Sequence, residues 1–317
     1  MCIGGKIMRT QPDEISVRKM NLAAEMYYLY DRSQKEIADR LSVSRPWVSK
    51  LLKRAKETGV VRIEINSPLV GNPEIESRIK ARYHIDNITV IKPLVEHDYT
   101  NISVAAASYL ISHVKNTDVI GVSWGMSIAH MIEHVVDMNL PGVNIVPIVG
   151  GAGSDAECLS NTNVTNLSSS LGAECMLLHA NACCSDLEEQ RILMSNQRVK
   201  EIIDLGEKAD IALLGIGDLE HSRILSGQYV SDPDLQQIRD QEVVGDIAFR
   251  FLTKDGEIAD IDFNKRVIGC DLRKISRNAR EVIAIAYGTE KAEVIKAALK
   301  SGLITTLFTD LDTAELL

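Results

Sequence analysis

A basic segment near the N-terminus has the composition of a surface that binds a polyanion. Residues 40–56 hold six basic side chains and no acidic one. Lys and Arg contacts to phosphates supply most of the sequence-independent affinity of proteins for nucleic acid. The segment therefore predicts contact with a nucleic-acid backbone, with a solvated charged face as the alternative that composition leaves open. The six residues are Arg40, Arg45, Lys50, Lys53, Arg54 and Lys56.

A glycine-containing turn in the middle of the chain is a second candidate for chemistry. The strand-like run DVIGV at 118–122 ends in Ser-Trp-Gly-Met-Ser at 123–127, and a helix over 127–137 is predicted to follow. Backbone N–H groups at a helix start bind anions, the glycine permits close approach and the last serine adds a hydroxyl. A tight turn with a serine N-cap is the competing interpretation. The predicted anion-site residues are Ser123, Gly125, Met126 and Ser127.

Two further sequence patterns are typical of chemistry that the rest of the chain does not support. His130, Glu133 and His134 spell H-x-x-E-H, in which two histidines bind zinc and the glutamate acts as base. No third ligand is identifiable, so we predict neither a metal site nor a cofactor. Cys183 and Cys184 are adjacent, a spacing that strains a disulfide, and we interpret them as packing residues.

The basic segment lies inside a predicted helix-turn-helix. Apolar residues recur at helical spacing, and a three-residue turn separates the last two helices. Ser33 begins a capping box with Glu36, Ser44 is placed to cap the next helix, and Gly59 ends that helix. The predicted elements are helices over 15–30, 34–41 and 45–58, and a short strand or wing over 60–65.

The N-terminal half of the last of these helices is the part expected to face base edges in the major groove. Trp47 in this segment has two interpretations, which are packing on the core of the domain and apolar contact with a thymine methyl group. The residues predicted to contact DNA lie at helix starts and on the recognition helix: Ser33, Gln34, Ser44, Arg45, Trp47, Ser49, Lys50, Lys53 and Arg54.

The candidate anion site lies in a longer segment that alternates strand and helix. Apolar runs that end in glycine are each followed by a helical stretch, as in NIVPIVGGAG and ADIALLGIGDL. This pattern is typical of an α/β body with a mostly parallel, Rossmann-like sheet, whose ligands bind at the carboxyl ends of the strands. We therefore predict a helix-turn-helix domain over 1–66, a Pro- and Gly-containing linker over 67–74 and a ligand-binding domain over 75–317.

Charge divides the chain at the same place. The 317 residues carry a formal net charge of −9, yet residues 1–66 hold 13 Lys and Arg against 8 Asp and Glu. The remaining residues hold 22 basic and 36 acidic side chains, so a small basic segment precedes a large acidic one. Because the acidic part repels nucleic acid, the predicted contact with DNA is confined to residues 1–66.

Composition excludes several classes of protein. Hydrophobic residues make up 45% and charged residues 25%, which excludes a disordered or collagen-like chain. No run approaches the roughly 18 apolar residues of a membrane span, and the N-terminal segment lacks the apolar core of a signal peptide. Six scattered cysteines without a C-x-x-C pair predict reduced thiols, and hence a cytoplasmic protein.

Taken in order, these motifs resemble the SorC family of sugar-responsive bacterial transcriptional regulators. The resemblance covers about residues 18–317 and implies a sugar-phosphate-sensing domain similar in fold to phosphosugar isomerases such as glucosamine-6-phosphate deaminase. It also implies homo-oligomers, commonly tetramers, on pseudo-palindromic operator DNA. The motifs are SQKEIADRLSVSRPWVSKLLKRAKETGVVRIEI, VIGVSWG, VPIVGG, LLGIG, VVGDIAFRF and EKAEVIKAALKSGLITTLFTD.

The resemblance implies further effector contacts at strand ends. Asp246 matches a family acid that accepts hydrogen bonds from sugar hydroxyls, with a loop cap as the alternative role. Lys291 lies in the first turn of a helix, where the dipole disfavours a cation, so it suits a bound phosphate better than a solvated surface. Met126 departs from the Thr or Arg more usual in the family. The resemblance also implies a second ligand wall at Gly150 and Gly151 and a close approach of backbone to ligand at Gly215. Asn161 and Asn163 match ligand-facing positions of the family, with ordinary helix capping as the alternative role.

Two functions are compatible with these patterns. The first is a DNA-binding regulator of a carbohydrate operon, not an enzyme, whose operator affinity depends on a phosphorylated sugar. The second is a phosphosugar isomerase or deaminase with Asp246 as general base. The dedicated basic segment favours the regulator, and no paired acid and base stand out for an enzyme. The sequence leaves open which sugar binds, the operator sequence, the choice between repression and activation, and the subunit number.

Overall fold

The computed structural model describes residues 12–61, 71–95, 97–151, 160–226 and 229–317. The chain divides into two compact units, Met1–Asn66 and Ser67–Leu317, which we name the head and the body. Most of the predicted wing, and residues 67–70 of the predicted linker, lie outside the described residues.

Three helices form the head around one small core. They are α1 (Pro12–Tyr28), α2 (Gln34–Leu41) and α3 (Arg45–Glu57), which confirms the predicted helix-turn-helix. The Ser33 hydroxyl accepts the N–H of Glu36 at 3.2 Å, and the Glu36 carboxylate accepts the N–H of Ser33 at 2.9 Å. Such a cap stabilises a helix by about 1 kcal/mol. The core contains Met20, Ala23, Ala24, Met26, Ile37, Ala38, Val48, Leu51, Leu52 and Ala55.

The start of α3 differs from the prediction in one respect. Ser44 is the N-cap residue, but its side chain makes no capping hydrogen bond. Pro46, in the first turn, has no N–H to donate, and the N–H of Trp47 donates to the carbonyl oxygen of Ser44 at 2.9 Å. Gly59 ends the helix as predicted, with a φ of +75° that disfavours other residues.

Nine described strands form the sheet of the body. They are β1 (Asn87–Ile91), β2 (Val119–Val122), β3 (Asn144–Pro147), β4 (Glu174–Cys175), β5 (Ile211–Asp218), β6 (Val243–Ile247), β7 (Arg250–Thr253), β8 (Glu281–Ile285) and β9 (Thr306–Asp310). Seven of them run parallel in the order β1-β9-β8-β5-β2-β3-β4, which confirms the mostly parallel sheet. β6 and β7 form an antiparallel hairpin that pairs with the end of β5.

Apart from the β6–β7 hairpin, the connections between these strands contain helices. No helix within the described ranges is long and apolar enough to span a membrane. The helices are α4 (Pro73–Tyr83), α5 (Thr100–His113), α6 (Met126–Ile132), α7 (Ser160–Leu171), α8 (Leu187–Ser195), α9 (Gln197–Gly206), α10 (Arg223–Ser226), α11 (Asp232–Asp240), α12 (Asp262–Arg266), α13 (Leu272–Asn278), α14 (Ala292–Lys300) and α15 (Leu311–Glu315). A 3-10 turn over Thr289–Lys291 leads into α14.

Two helix boundaries of the body correct the predictions. α4 begins at Pro73, one residue before the helix predicted from about 74 to 83, because Asn72 caps that helix and its first turn tolerates proline. α6 ends at Ile132, five residues earlier than predicted. After it the chain tightens into three-residue turns, in which the N–H of Val135 donates to Ile132 at 3.0 Å and the Val135 side chain joins the core.

Side chains along each strand point alternately to the two faces of the sheet, so the body core has two layers. On β5, Ile211 and Leu213 face one layer, whereas Ala212 and Leu214 face the other. A third cluster, which contains Phe249, packs beside the β6–β7 hairpin. These layers hold the carboxyl ends of β2 and β5 next to the hairpin.

The β6–β7 hairpin has an unusual turn. Ile247 pairs with Arg250, so Ala248 and Phe249 form a two-residue loop. Both loop residues have positive φ, 46° and 69°, a conformation that hairpins usually assign to Gly or Asn. The carboxylate of Asp246 accepts the N–H of Phe249 at 3.1 Å and so supports the loop.

Candidate functional site

One face of α3 is basic and open to solvent. Arg45, Ser49, Lys50, Lys53 and Arg54 are all exposed, while the opposite face of the helix is buried in the head core. Exposed basic side chains on the second helix of a helix-turn-helix are the arrangement that reads the major groove and contacts phosphates. Five of the predicted DNA contacts therefore lie together on one accessible surface.

The other predicted DNA contacts include residues with structural roles. Trp47 packs against the head core, and the Lys19 ammonium lies 5.7 Å from the centre of its ring. This packing favours the structural interpretation of the tryptophan over contact with thymine. The hydroxyl of Ser33 belongs to the capping box, whereas Gln34 is half-buried at the start of α2 and Ser44 is exposed.

An open cavity lies at the carboxyl ends of β2 and β5, beside the β6–β7 hairpin. It contains about 650 Å³ of empty space, open solvent included. Parallel α/β sheets bind their ligands at this edge. Six predicted effector residues meet here: Gly125, Met126, Ser127, Gly215, Asp246 and Lys291. The other lining residues are Trp124, Ile216, Gly217, Asp218, His221 and Ser222.

Two glycines allow the turn after β2 to approach β5. Gly125 has a φ of +127°, and a Cβ on Gly215 would lie 2.9 Å from the carbonyl oxygen of Trp124. Ser123 fixes this approach, since its hydroxyl accepts the Gly215 N–H and donates to the Trp124 carbonyl, both at 2.9 Å. Ser123 is fully buried and is not among the described residues that line the cavity, and its hydroxyl is used in these two backbone contacts.

Three charged groups of the described lining determine the electrostatics of the cavity. Asp218 and Asp246 are only 6% and 4% exposed, and Lys291 is half-buried. Burial raises the pKa of Asp246 to about 7, against the opposing effects of the Phe249 N–H and Lys291, and nearby Asp218 adds to the increase. Burial also lowers the pKa of Lys291, an effect that Asp218 opposes. Asp246 therefore gains or loses its charge near neutral pH.

Sequence reasoning missed the pair formed by Asp218 and His221. The imidazole Nδ1 of His221 lies 3.0 Å from Asp218 Oδ1, and the backbone N–H of His221 donates to the same oxygen at 2.8 Å. Asp218 follows directly after the strand-end glycines, a signal that was available. No pattern in the neighbouring sequence marks His221, because it reaches the cavity only through the fold of the turn after β5.

The two predicted asparagine contacts do not reach the cavity. The side-chain N–H of Asn161 donates to the carbonyl oxygen of Leu178 at 3.0 Å, and the side-chain oxygen of Asn161 accepts the N–H of Leu178 at 3.1 Å. Asn163 donates to the carbonyl oxygen of Ser123 at 3.2 Å, and it is fully buried. Helix α7 thus uses these amides to hold neighbouring backbone rather than a ligand.

Gly150 and Gly151 also differ from their predicted role as a ligand wall. A Cβ on Gly150 would lie 2.6 Å from the carbonyl oxygens of Ala180 and Asn181. Gly151 pairs with Asn181 through a single β-bridge. Neither glycine lines the cavity, because the segment at 180–181 occupies the space beside them.

The H-x-x-E-H segment and the adjacent cysteines, which we did not interpret as a metal or redox site, lie in surroundings typical of structural residues. α6 ends before Glu133 and His134, and the described residues hold no cluster of His, Cys, Asp or Glu that is placed to bind a metal ion. Cys183 and Cys184 are buried, and burial raises the pKa of each thiol to about 11. Thiols that stay protonated at neutral pH are poor nucleophiles and metal ligands.

Replacing Asp246 by Asn will change how stability depends on pH. A carboxyl whose pKa rises from 3.8 in the unfolded chain to about 7 in the folded one destabilises the fold increasingly between those pH values. Asn has no such titration and still offers an acceptor to Phe249. Relative to the parent, the variant should gain about 2–3 kcal/mol in free energy of unfolding between pH 5 and pH 8.

Equilibrium urea unfolding at both pH values measures this gain. Asp204→Asn, on the exposed surface of α9, is the matched control and should show no comparable gain. If the difference between Asp246→Asn and the parent stays constant with pH, the carboxyl is not the buried acid that we describe.

The fold and the cavity define the class of this protein. A helix-turn-helix joined to an α/β unit with a strand-end cavity is a ligand-responsive DNA-binding regulator. Residues 67–317 match the family model described as "Putative sugar-binding domain", and residues 25–57 match "Sigma-70, region 4". Because the first match spans most of the chain, the chain belongs to this sugar-binding-domain family, the SorC-type transcriptional regulators.

Relatives over the whole length agree with this assignment. The deoxyribonucleoside regulator of Bacillus subtilis (strain 168) is 28% identical over 313 residues, 93% of this chain and 95% of the relative. The sorbitol operon regulator of Klebsiella pneumoniae is 29% identical over 312 residues, 95% of this chain and 98% of the relative. The crystal structure of full-length SorC from Klebsiella pneumoniae has a TM-score of 0.72 and covers 96% of this chain. The predicted resemblance and the regulator function are confirmed.

Proposed function

We propose that the cavity binds a phosphorylated sugar and that this ligand controls the affinity of the head for operator DNA. The observation that carries the proposal is the combination of donors and acceptors in one cavity. The Gly125 turn, the Ser127 hydroxyl and Lys291 offer donors, whereas Asp218 and Asp246 offer acceptors. A sugar phosphate matches both sets of groups, because its phosphate accepts hydrogen bonds from the donors and its hydroxyls donate to the carboxylates.

Lys291 is the group that favours a phosphate over an uncharged sugar. It is the one permanent cation among the described lining residues, and burial lowers its pKa because the ammonium is desolvated. A bound phosphate dianion stabilises the ammonium charge that burial destabilises, and charge-assisted hydrogen bonds are stronger in such surroundings. The carboxylates at the other positions disfavour a second anionic group on the ligand.

The effector and the operator would then act through linked conformations. A coupling of about 1–3 kcal/mol changes operator affinity roughly 5- to 150-fold, and operator binding changes effector affinity by the same factor. We further propose a cytoplasmic homotetramer that binds a pseudo-palindromic operator, because two-fold related half-sites require paired heads. Relatives named for sorbitol and deoxyribonucleosides support a carbohydrate operon as the target.

Thermal unfolding with a panel of sugars, each free and phosphorylated, tests the effector class. A ligand at about 100 times its Kd stabilises the fold by about 2.7 kcal/mol, a readily measured increase in Tm. We expect one phosphorylated sugar to raise the Tm while its free form does not. An increase with free sugars alone would contradict the phosphate, and no increase with any sugar would contradict the sensor role.

A phosphosugar isomerase would use the same cavity, and a buried carboxyl with a pKa of about 7 suits a general base. We propose binding without turnover, because a helix-turn-helix head serves DNA control and not catalysis. Incubation of the full chain with hexosamine and pentose phosphates, followed by product analysis, should show no conversion. Turnover that Asp246→Asn abolishes would establish the enzyme instead.

A further inference from the structure

The resemblance and the proposed function assign no role to His221, which is paired with the cavity carboxylate Asp218. Asp218 is the last residue of β5, at the carboxyl edge of the sheet, and its carboxylate is almost fully buried. The side chain of His221 is 66% exposed and lines the cavity. A histidine held at a cavity by a buried carboxylate is positioned more firmly than a surface histidine.

The geometry determines which nitrogen of His221 faces a ligand. Nδ1 lies 3.0 Å from the Asp218 carboxylate, and a carboxylate oxygen only accepts hydrogen bonds, so Nδ1 carries the proton. The backbone N–H of His221 donates to the same oxygen and holds the turn in place. In the neutral imidazole, Nε2 is then an acceptor.

We propose that His221 is a specificity-determining residue whose Nε2 accepts a hydrogen bond from one hydroxyl of the effector, with Asp218 as its positioning residue. The inference rests on the proposed function, since it assigns a contact within the same cavity. Asp246 and His221 together give the cavity acceptors from two different elements, β6 and the turn after β5. The effector is accordingly a polyol phosphate that presents hydroxyls to both.

Discrimination follows from the acceptor that a missing hydroxyl leaves unpaired. A site that hydrogen-bonds a ligand hydroxyl rejects the analogue without it, because the desolvated acceptor loses its partner. A single neutral hydrogen bond is worth about 3- to 10-fold in affinity at a partly open site. One monodeoxy analogue of the effector should therefore bind about 3- to 10-fold more weakly than the parent compound because of His221.

The experiment uses the full chain and a panel of pentose 5-phosphates and hexose 6-phosphates. The compound that raises the Tm most is compared with its monodeoxy analogues by titration calorimetry. His221→Ala should weaken the parent compound and remove discrimination against one analogue, whose own affinity stays nearly unchanged. His221→Gln, which keeps an acceptor, should restore part of that discrimination. His179→Ala, an exposed histidine of the body outside the cavity, is the matched control.

Asp218→Asn tests the positioning role. It should reduce discrimination against the same analogue in the parent chain and should have no further effect on that ratio in the His221→Ala background. A purely structural Asp218 would lower affinity for all analogues alike in both backgrounds.

The outcomes separate this inference from the proposed function. If no compound in the panel binds the parent chain, both are wrong. If a compound binds and His221→Ala leaves the ratios of its affinity to those of its monodeoxy analogues unchanged, this inference alone is wrong. Equal weakening of the parent compound and every analogue by His221→Ala also contradicts it.

Discussion

Lys50→Glu will abolish specific binding of the operator while the body keeps its response to the effector. Lys50 is exposed on the basic face of α3, at the part of a recognition helix that lies in the major groove. A contact to a base edge is worth about 1–3 kcal/mol, and the reversed charge adds repulsion from neighbouring phosphates. With two heads on the proposed pseudo-palindromic operator, we expect a loss of at least about 100-fold.

Fluorescence anisotropy with labelled operator, at several salt concentrations, measures this loss. Arg18→Glu makes the same charge change on the exposed surface of α1 and serves as the matched control. It should weaken binding far less than Lys50→Glu. The Tm increase with the effector must persist in both variants, which shows that the body is intact. Operator affinity within about threefold of the parent would remove Lys50 from the interface.

Under the proposed function, Lys291→Met will remove the preference for phosphorylated ligands and, with it, the response of the operator complex. The ammonium is half-buried and lies near the carboxylates of Asp218, Glu290 and Asp246, and Met has no charge to offer a phosphate in its place. A hydrogen bond to a charged group contributes about 1.5–3 kcal/mol, which corresponds to about a 10- to 150-fold loss of affinity for the sugar phosphate. Affinity for the free sugar should change little.

Calorimetric titration with the phosphorylated and the free form of one sugar measures both effects. Lys300→Met, an exposed lysine at the end of α14, is the matched control. Operator binding itself should be retained by Lys291→Met and should no longer respond to effector. Equal losses for the free and phosphorylated sugars would show that Lys291 supports the cavity rather than the phosphate.

The head was predictable in detail because its signals are local. The capping box at Ser33 and the apolar spacing of α3 involve residues within one or two turns of each other. The lost cap at Ser44 is the exception, and its cause, the missing N–H of Pro46, is local as well.

The part of the cavity that was predictable lies where a strand end or a helix start carries its own signal. Gly125 and Gly215 lie near the ends of apolar runs, Lys291 lies just before α14, and all three line the cavity. Asn161 and Asn163 lie outside the cavity and bond neighbouring backbone, a difference that sequence does not reveal because a polar residue on a helix looks the same in either role. His221 was missed because its position results from long-range packing of the turn after β5.

The hairpin turn at Ala248 and Phe249 limits how this sensor can evolve. Two residues other than glycine adopt positive φ there, and the carboxylate of Asp246 offsets part of that cost by binding the Phe249 N–H. The proposed ligand-reading acid is thus also a backbone support, so a residue at position 246 that offers no acceptor to the Phe249 N–H weakens the turn as well as recognition. Position 246 must therefore satisfy the turn and the ligand at once, and only a side chain with an acceptor, such as Asp or Asn, meets the first requirement.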